Sequence, residues 1–413
     1  MTWLCVQDGA REHYAIPRAL HRERRLALFA TEFWARPVAR RMAHWPMQML
    51  GPRWHPELDG AAIVSWNWQC FLPRFSPRVA RERNGNPYEA FVRTGRRFSE
   101  RVGHWLARHK VELKGKVVFS YDTTALELFR FARARGAVCV LGQMDPSRIE
   151  FELVREEEER WPGWALRAAE VPEDYLARRE QEWALADRVV VNSKFCGRAL
   201  LQQGVPEEKL AVVPLAYEAS SQERSSGTEE GKKGRPIRVL FLGQVILRKG
   251  IQYLIEAAKL LRKEYVVFDV VGPIGISNEA LKRAPSNVIF HGRASREKAS
   301  KWYRRSDVFV LPTLSDGFAL TQLEAMAHGL PVIATPNCGE VVTHGEDGFI
   351  VPIRDAAALA GALNSYLANP AMLAAHGGAA LRKLAKFSLE SLAQNLKALE
   401  KKTLICADKR KSD

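Results

Sequence analysis

The feature of this sequence that most constrains its fold is a repeated alternation of short apolar runs and longer helical patterns. Runs rich in β-branched residues, such as Val117–Tyr121 and Val308–Pro312, are followed by apolar residues at helical spacing. This alternation is typical of parallel sheets whose strands are joined by crossover helices. It occurs in residues 1–217 and again in residues 237–395. The sequence therefore predicts an α/β protein of two Rossmann-like, doubly wound domains with a ligand cleft between them.

Each half contains six predicted strands. In the first half they are Leu4–Gln7, Ala61–Trp66, Val117–Tyr121, Ala137–Leu141, Arg188–Asn192 and Leu210–Pro214. In the second half they are Ile237–Leu242, Val266–Val271, Val288–His291, Val308–Pro312, Pro331–Ala334 and Phe349–Val351. Helical patterns cover Thr124–Arg135, Tyr175–Ala186, Ile251–Lys263, Arg296–Arg304, Leu320–His328, Ala356–Leu367 and Ala371–Lys386.

A polar stretch separates the two halves. Residues 218–236 contain almost no apolar side chain and are rich in Ser, Gly and charged residues. Such a segment cannot bury enough apolar surface to order itself, so we expect a linker or a mobile loop. Residues 396–413 are expected to form the end of a C-terminal helix and a tail.

The net charge of +15 is concentrated near the N-terminus, where residues 1–110 carry 18 Arg and 1 Lys against 9 Asp and Glu. Nucleic acid, an anionic membrane surface or a phosphorylated small molecule would each suit such a charge, and so would an ordinary solvated basic face. No helix-turn-helix, zinc-finger or RNA-binding motif is present, which argues against nucleic acid as a partner.

The length of the apolar runs and the spacing of the cysteines indicate the compartment in which we expect the protein. No apolar run reaches the ~18 residues of a membrane-spanning helix, and the first residues do not resemble a signal peptide. The six cysteines are isolated and none has CxxC spacing, which argues against zinc and against a disulfide framework. We therefore expect a cytoplasmic protein.

Residues 308–331 join a buried strand to a small polar loop and then to a helix. Gly317 in the loop permits close approach of the backbone to a ligand. The unpaired amides at the start of a helix, together with the helix dipole, favour an anion. These amides belong to Phe318, Ala319 and Leu320.

Two carboxylates flank this predicted anion site. Glu324 lies near the end of the first helical turn, where it could accept hydrogen bonds from a ribose diol. Asp316 precedes the helix and could accept hydroxyls of a sugar beyond the phosphates. Each also has a plainer interpretation, because Asp316 suits a helix cap and Glu324 a solvated surface position.

A second motif places two basic residues before a helix. The strand within Val239–Leu242 ends at Gly243, and Arg248 and Lys249 follow five residues later. Arg offers a planar fork and Lys a compact charge to phosphate oxygens. In so basic a protein the pair alone could be an ordinary surface feature.

Five motifs occur once each, in a defined order and spacing along the second half of the chain. They are Gly243-Gln244 with Arg248-Lys249-Gly250, Val271-Gly272, Val288–Gly292, Asp316 with Glu324-Ala325-Met326-Ala327, and Gly345–Val351. Together they resemble the donor domain of family 4 glycosyltransferases, the retaining GT-B enzymes of glycosyl transferases group 1. The resemblance is strong over residues 237–390, weak over 183–214, and holds only in outline over 1–140.

The resemblance implies roles for individual residues. Arg248 and Lys249 would hold the diphosphate of a UDP- or GDP-sugar, Glu324 its ribose and Asp316 the transferred sugar; Arg248, Lys249 and Asp316 are the expected catalytic residues. Further donor contacts are expected from Gly9, Gly243, Gln244, Gly292, Arg293, Ala294, Gly317, Phe318, Ala319 and Leu320. The implied reaction needs no metal ion and no cofactor.

Three positions depart from the family pattern. Gln244 stands where the family has an arginine, whose charge Arg248 would replace. Asp316 replaces a longer glutamate. A histidine that follows a strand of the first domain in many relatives is absent, because Gln143-Met144-Asp145 aligns there; His13 and His104 are candidates by residue type only.

Other segments keep alternative interpretations. Glu156–Glu159 is expected to be a solvated helix face, since adjacent carboxylates on a helix cannot converge on one ion. The Arg-rich stretch Arg22–Trp45 suits either an anionic membrane surface, at the cytoplasmic face, or a helix pair with buried tryptophans. Trp161–Trp164 suits either a mobile lid or a simple turn.

The sequence thus predicts a hexosyltransferase-like enzyme that moves a sugar from a nucleotide sugar to a hydroxyl of a glycan, lipid or small molecule. Two rival functions stay open. One is a sugar-nucleotide-binding protein without catalysis, suggested by Gln244 and the absent histidine. The other is a different GT-B activity, such as a nucleotide-sugar epimerase or a phosphorylase.

Overall fold

Two parallel sheets organise the chain, as the sequence predicts. The computed structural model describes residues 1–35, 53–67, 86–166, 170–219 and 234–409. One sheet is formed before residue 213 and the other after residue 236, so the α/β fold of two Rossmann-like domains is confirmed. Most of the predicted linker, residues 218–236, lies outside the described part of the chain.

Within these ranges the first sheet has seven strands in the order β3-β2-β1-β4-β5-β6-β7, all parallel. They are β1 (Trp3–Gln7), β2 (Leu26–Thr31), β3 (Ile63–Ser65), β4 (Val117–Tyr121), β5 (Val138–Gln143), β6 (Arg188–Val191) and β7 (Leu210–Val212). The winding direction reverses between β1 and β4. The carboxyl ends of these two strands therefore flank the edge at which doubly wound sheets bind ligands.

Helices cover both faces of the first sheet. Alternate residues of β1 point to opposite faces: Leu4 and Val6 belong to one apolar cluster, and Trp3 and Cys5 to another. The described helices of this domain are α1 (Ala15–Arg22), α2 (Pro87–Arg108), α3 (Leu126–Arg133), α4 (Arg148–Arg160), α5 (Glu173–Leu185) and α6 (Lys194–Gln202).

Strand β2 is not among the predicted strands, and the helix-pair interpretation of Arg22–Trp45 is wrong for its described part. Helix α1 ends at Arg22, and β2 then pairs with β1 on one side and β3 on the other. The β2 sequence, LALFAT, has only one β-branched residue, and its Leu and Ala residues favour helix, so it does not resemble the β-branched runs of the other strands.

The second sheet has six strands in the order β10-β9-β8-β11-β12-β13, again all parallel in the residues described. They are β8 (Ile237–Leu242), β9 (Val266–Val271), β10 (Val288–Gly292), β11 (Val308–Leu311), β12 (Val332–Ala334) and β13 (Gly348–Ile350). Each corresponds to a predicted strand. The winding reverses between β8 and β11, whose carboxyl ends carry the two predicted site motifs.

The described helices that follow β8 belong to the second domain, except for the last one, α13. They are α7 (Ile251–Leu260), α8 (Asn278–Lys282), α9 (Arg296–Arg305), α10 (Leu320–Ala327), α11 (Ala356–Ala368), α12 (Pro370–Lys383) and α13 (Leu389–Lys409). Helix α13 packs on the first domain, where Leu396 and Leu399 join the cluster around Trp3 and Glu400 pairs with Arg25. Among the described helices, none has both the length and the apolar character needed to span a membrane.

Candidate functional site

The predicted phosphate site, Arg248 and Lys249, lies on a tight turn at the carboxyl edge of the second sheet. After β8, residues Leu247–Lys249 form a short 3₁₀ turn, and Gly250 follows with a φ of 74°. A Cβ on Gly250 would lie 1.8 Å from the Pro312 carbonyl oxygen, so only glycine permits this approach. The turn therefore rests directly on the loop that follows β11.

Both basic side chains of this turn contact an acidic partner. The Lys249 ammonium pairs with the Asp316 carboxylate, and Arg248 Nη1 lies 3.4 Å from Glu150 Oε2. Arg248 Nη1 also donates to the Ser315 carbonyl oxygen over 3.0 Å. The Lys249 side chain is 13% exposed and that of Arg248 23%. The structure thus brings together the three residues predicted to be catalytic and leaves both cations accessible.

Glu150 reaches this site from α4 of the first domain and was not predicted. Its carboxylate accepts a 2.7 Å hydrogen bond from the Ser315 hydroxyl. Burial raises the pKa of Glu150, and the charge of Arg248 opposes the rise. Burial also acts to lower the pKa of Arg248, but Glu150 and Asp316 outweigh it and raise that pKa. A carboxylate of one domain therefore stabilises a guanidinium of the other.

Gly317 brings the loop after β11 against the first domain. A Cβ at this position would lie 1.8 Å from the Met144 carbonyl oxygen and 2.9 Å from Asn192 Nδ2. Asn192 donates a 2.8 Å hydrogen bond to that same carbonyl. Because any larger residue would separate these surfaces, Gly317 sets how closely the two domains approach.

Backbone hydrogen bonds hold the loop before α10. The Asp316 amide donates to the Asn337 carbonyl over 2.9 Å, and the Ala319 amide donates to the Cys338 carbonyl over 3.3 Å. Phe318 is buried. Of the three amides predicted to bind an anion, that of Ala319 is therefore already engaged by the backbone.

Glu324 opens onto a cavity of about 350 Å³ between the domains. Its carboxylate accepts a 2.8 Å hydrogen bond from the Tyr303 hydroxyl. Leu320 lines the same cavity, as do Glu12 and His13 of the first domain. Since a carboxylate has lone pairs for several donors, Glu324 can accept ligand hydroxyls while Tyr303 orients it.

The other predicted donor contacts also follow strands. Gly243 and Gln244 follow β8, and Gln244 is exposed. The segment Gly292-Arg293-Ala294 ends β10, with Arg293 exposed and Ala294 packed against the core. Gly9 follows β1, and its carbonyl accepts a 3.0 Å hydrogen bond from the Gln7 side chain. These segments occupy the carboxyl edges of the two sheets.

A buried charge network in the first domain has no counterpart in the sequence prediction. Arg179 on α5 is fully buried and contacts both Asp122 and Asp145, the latter over 2.7 Å. Burial raises the pKa of Asp122, with the Arg179 charge opposing it. Arg11 adds a longer contact of 3.8 Å to Asp122. The network holds in place the residues that follow β4 and β5. In the sequence, its only indication is Asp122, the acidic residue directly after β4.

Three consecutive residues after β1 have a left-handed backbone. The φ angles are 50° at Glu12, 52° at His13 and 61° at Tyr14. Left-handed helical geometry costs about 1–2 kcal/mol per non-glycine residue, and such strain clusters at functional sites. Burial raises the pKa of Glu12 to about 7. This strained turn faces the cavity of Glu324, and no sequence signal identified it.

In the acidic run Glu156–Glu159, Glu156 and Glu159 are exposed as the sequence predicts, but Glu157 is not. Glu157 is fully buried and accepts hydrogen bonds from Gln252 Nε2 over 2.9 Å and from the Tyr253 hydroxyl over 2.8 Å. It also pairs with Arg354. Glu157 is buried because this end of α4 packs on the second domain.

The Trp161–Trp164 turn strengthens the same contact. Trp164 is 2% exposed and lies in the core of the second domain. Its carbonyl accepts a 2.8 Å hydrogen bond from the Ser277 amide. The turn is therefore a packed attachment, and the interpretation as a mobile lid is wrong.

The residues at the end of β5 include no histidine, as the sequence predicts for Gln143-Met144-Asp145. Gln143 ends that strand, is buried, and donates to the Asp145 carbonyl over 3.0 Å. His104 is exposed on α2, with its ring nitrogen 2.8 Å from the Glu100 carbonyl, whereas His13 lines the cavity of Glu324. In the part of the chain that the structure describes, no three His, Cys, Asp or Glu side chains are placed to hold a metal ion.

Known structures share this two-domain arrangement. The crystal structure of HepE from Anabaena in complex with UDP matches 97% of this chain and 100% of that chain, with a TM-score of 0.63 at 15% identity. That likeness and the two doubly wound sheets define the fold as GT-B.

Sequence comparison identifies the second domain. Glycosyl transferases group 1 is the family whose model matches residues 236–369. The lipopolysaccharide core biosynthesis mannosyltransferase LpcC of Rhizobium leguminosarum bv. viciae is 42% identical over 101 residues, 24% of this chain and 29% of that protein. The D-inositol 3-phosphate glycosyltransferase of Streptomyces avermitilis is 28% identical over 234 residues, 51% of this chain and 50% of that protein.

The chain spans about half the length, or less, of the curated relatives it matches. Residues 236–369, which carry Arg248, Lys249, Asp316 and Glu324, form a glycosyl transferases group 1 domain.

Proposed function

We propose that this chain is a glycosyltransferase that moves a sugar from a nucleotide sugar to a hydroxyl acceptor, with retention of configuration and without a metal ion. One observation carries the proposal: Arg248 and Lys249 lie together at the point where the second sheet reverses its winding, facing the cleft. Two relatives are named as glycosyltransferases, and HepE is solved with UDP and with UDP-glucose. We infer a UDP- or GDP-sugar as the donor.

The diphosphate would replace carboxylates as the partner of the two cations. In the structure Lys249 contacts Asp316 and Arg248 contacts Glu150. A diphosphate carries more charge than either carboxylate, and its oxygens can bind both the planar guanidinium of Arg248 and the ammonium of Lys249. Asp316 would then be released to accept hydroxyls of the transferred sugar.

The nucleoside would lie along the cavity of Glu324. The carboxylate, oriented by Tyr303 over 2.8 Å, would accept the ribose hydroxyls. The segment Gly292-Arg293-Ala294 would contact the base from the end of β10. Gly9 would face the donor from the first domain.

The reaction exchanges one bond at the anomeric carbon. The bond from that carbon to the phosphate oxygen breaks, a bond to the acceptor oxygen forms on the same face, and the acceptor proton passes to the leaving diphosphate. Arg248 and Lys249 would stabilise the charge that grows on the diphosphate. Two fixed protein cations supply that stabilisation, which supports a reaction without a metal ion.

We further propose a cytoplasmic location with peripheral contact to an anionic membrane face. The cysteines Cys5, Cys139, Cys196 and Cys338 are free and buried, as expected in a reducing compartment. Among the described arginines of the basic stretch, Arg22 and Arg24 are exposed, and Arg22 and Arg25 form ion pairs with Glu57 and Glu400. Arg36, Arg40 and Arg41 lie outside the described residues.

A thermal-shift screen of the full chain against common UDP- and GDP-sugars, followed by mass spectrometry of products, tests the proposal. The expected result is stabilisation by one donor class and transfer, or slow hydrolysis, of its sugar. Lys249→Ala and Glu324→Ala should each lower turnover at least about tenfold with an unchanged circular dichroism spectrum. Lys259→Ala is the matched control, because Lys259 lies on the next helix and pairs with Glu256 on the surface.

Three outcomes would contradict the proposed function or its site. Donor binding without any turnover, across neutral and lipid acceptors and water, would indicate a binding protein. Formation of an epimer from the donor alone would indicate an epimerase. Full activity in both variants would show that the site is elsewhere.

A further inference from the structure

A second and larger cavity, of about 530 Å³, lies between the domains beside Arg248. Its first-domain wall is formed mainly by α4 and the start of α5, and its second-domain wall by Ile246, Leu247 and Arg248. This volume is within the range of small-molecule sites, about 300–1,000 Å³. The cavity and the phosphate site share the Arg248 side chain, so a molecule bound here would lie next to the leaving group.

One wall of the cavity is aromatic. The ring centroids of Tyr88 and Phe151 are 5.4 Å apart, and those of Tyr88 and Tyr175 are 4.9 Å apart. Tyr175 is buried behind the other two, whereas Tyr88 and Phe151 are half-buried and line the cavity. Rings held in mutual contact form a rigid surface. Such a surface suits the C–H face of a pyranose ring, which is flat and apolar.

The cavity is acidic in a basic protein. Five carboxylates and three guanidiniums line it, although the whole chain carries +15. Two of the guanidiniums are already paired: Arg148 with Glu173 over 2.8 Å, and Arg248 with Glu150 over 3.4 Å. The excess of carboxylates disfavours an anionic ligand. Carboxylates accept hydrogen bonds from hydroxyls, so a neutral, hydroxyl-rich ligand fits the cavity best.

Glu150 connects the two sites. Its carboxylate contacts Arg248 and accepts a hydrogen bond from Ser315, and it also lines the cavity. A ligand hydroxyl that hydrogen-bonds to Glu150 would therefore lie beside the guanidinium predicted to hold the diphosphate. We propose that this cavity is the acceptor site and that the acceptor is a neutral saccharide stacked on Tyr88 and Phe151. The proposal rests on the proposed function and adds the substrate class.

Binding to the full chain saturated with UDP tests this directly. The probes are maltotriose and cellotriose as neutral trisaccharides, trigalacturonate as an anionic one, and vesicles of phosphatidylcholine with phosphatidylglycerol. We expect saturable calorimetric binding of at least one neutral trisaccharide, at least tenfold tighter than trigalacturonate. Phe151→Ala should weaken that binding at least tenfold.

The chain offers a matched control and a second variant. Phe91→Ala removes a ring that also contacts Tyr88, at 6.3 Å, but is 55% exposed and does not line the cavity; it should change the affinity less than twofold. Val154→Trp fills the cavity from α4 and should abolish binding even if Phe151→Ala does not fold.

Three results would overturn the proposal: no binding of either neutral trisaccharide, equal or tighter binding of trigalacturonate, or binding of vesicles alone. Unchanged affinity in both Phe151→Ala and Val154→Trp would place the saccharide elsewhere. Donor turnover is measured separately in the same samples. Turnover without saccharide binding rejects this proposal alone, whereas absence of turnover rejects the proposed function.

Discussion

Two arginines of this protein each contact acidic side chains, but their surroundings differ. Arg179 is fully buried within the first domain and contacts Asp122 and Asp145. Arg248 lies at the cleft, keeps 23% of its side chain exposed, and contacts Glu150 of the other domain over 3.4 Å.

The difference separates a fixed ion pair from an exchangeable one. A buried cation between two acids cannot lose its partners without leaving uncompensated charge in the interior. A partly exposed cation across a cleft can exchange a carboxylate for phosphate oxygens, because both partners remain in reach of solvent. The Arg179 network is therefore a structural support, and the Arg248 and Lys249 pair is the proposed ligand site.

Removing the fixed cation should have the largest effect. Arg179→Met leaves Asp122 and Asp145 without their buried partner, and the free energy of unfolding should fall by about 3–5 kcal/mol. Chemical denaturation followed by circular dichroism measures this loss. Arg148→Met is the control, since Arg148 is 36% exposed and pairs with Glu173 at the surface, where a loss of about 0–1 kcal/mol is expected. If both variants lost the same free energy of unfolding, Arg179 would not be the structural support that its burial indicates.

Asp316→Asn should separate binding from turnover. The substitution removes the internal partner of Lys249, so UDP no longer competes with a carboxylate and should bind at least as tightly as to the native chain. The transferred sugar loses a charged hydrogen-bond acceptor, so turnover should fall at least about tenfold. Calorimetry with UDP and a donor-consumption assay give the two values. Weaker UDP binding would show that Asp316 does not compete with the phosphate.

The smallest expected effect is a pH dependence from Glu12. Burial raises its pKa from 4.5 to about 7 in the folded chain. Between these values the folded state keeps a proton that the unfolded state releases, so the contribution of Glu12 to stability is full below pH 4.5 and is lost as the pH rises through 7.

Above pH 7 an ionised Glu12 also adds negative charge to the cavity of Glu324. UDP affinity should therefore fall between pH 6 and pH 8 by about two- to fivefold more in the native chain than in Glu12→Gln. Calorimetry at the two pH values measures this difference, and the variant corrects for the titration of UDP itself. Parallel pH profiles would show that Glu12 does not ionise near the nucleotide.

The second domain was predictable because its site residues follow one another along short local motifs. A strand, a glycine and a charged turn occur together in Ile237–Gly250 and again in Val308–Leu320, so the spacing alone places their side chains on one edge. The fold class was predictable for the same reason, since alternation of strands and helices is a local pattern.

The first domain was harder to predict because its charged contacts join distant segments. Glu150, Arg179 and Glu157 are ordinary helical residues in sequence, and only tertiary packing buries Arg179 and Glu157 and brings Glu150 to Arg248. Strand β2 was missed because its sequence, LALFAT, contains a single β-branched residue and is rich in Leu and Ala, which favour helix. Likewise the strained turn at Glu12 has no glycine to indicate a left-handed backbone.

The central claim is that Arg248 and Lys249 form an exchangeable phosphate site, and calorimetric titration of UDP tests it most directly. The native chain should bind UDP, and Lys249→Ala should bind it at least about tenfold more weakly, as expected when a charged hydrogen bond to phosphate is lost. Lys259→Ala, on α7 of the same domain, should bind UDP with unchanged affinity. Equal UDP affinity in the native chain and in Lys249→Ala would contradict the assignment of the phosphate site.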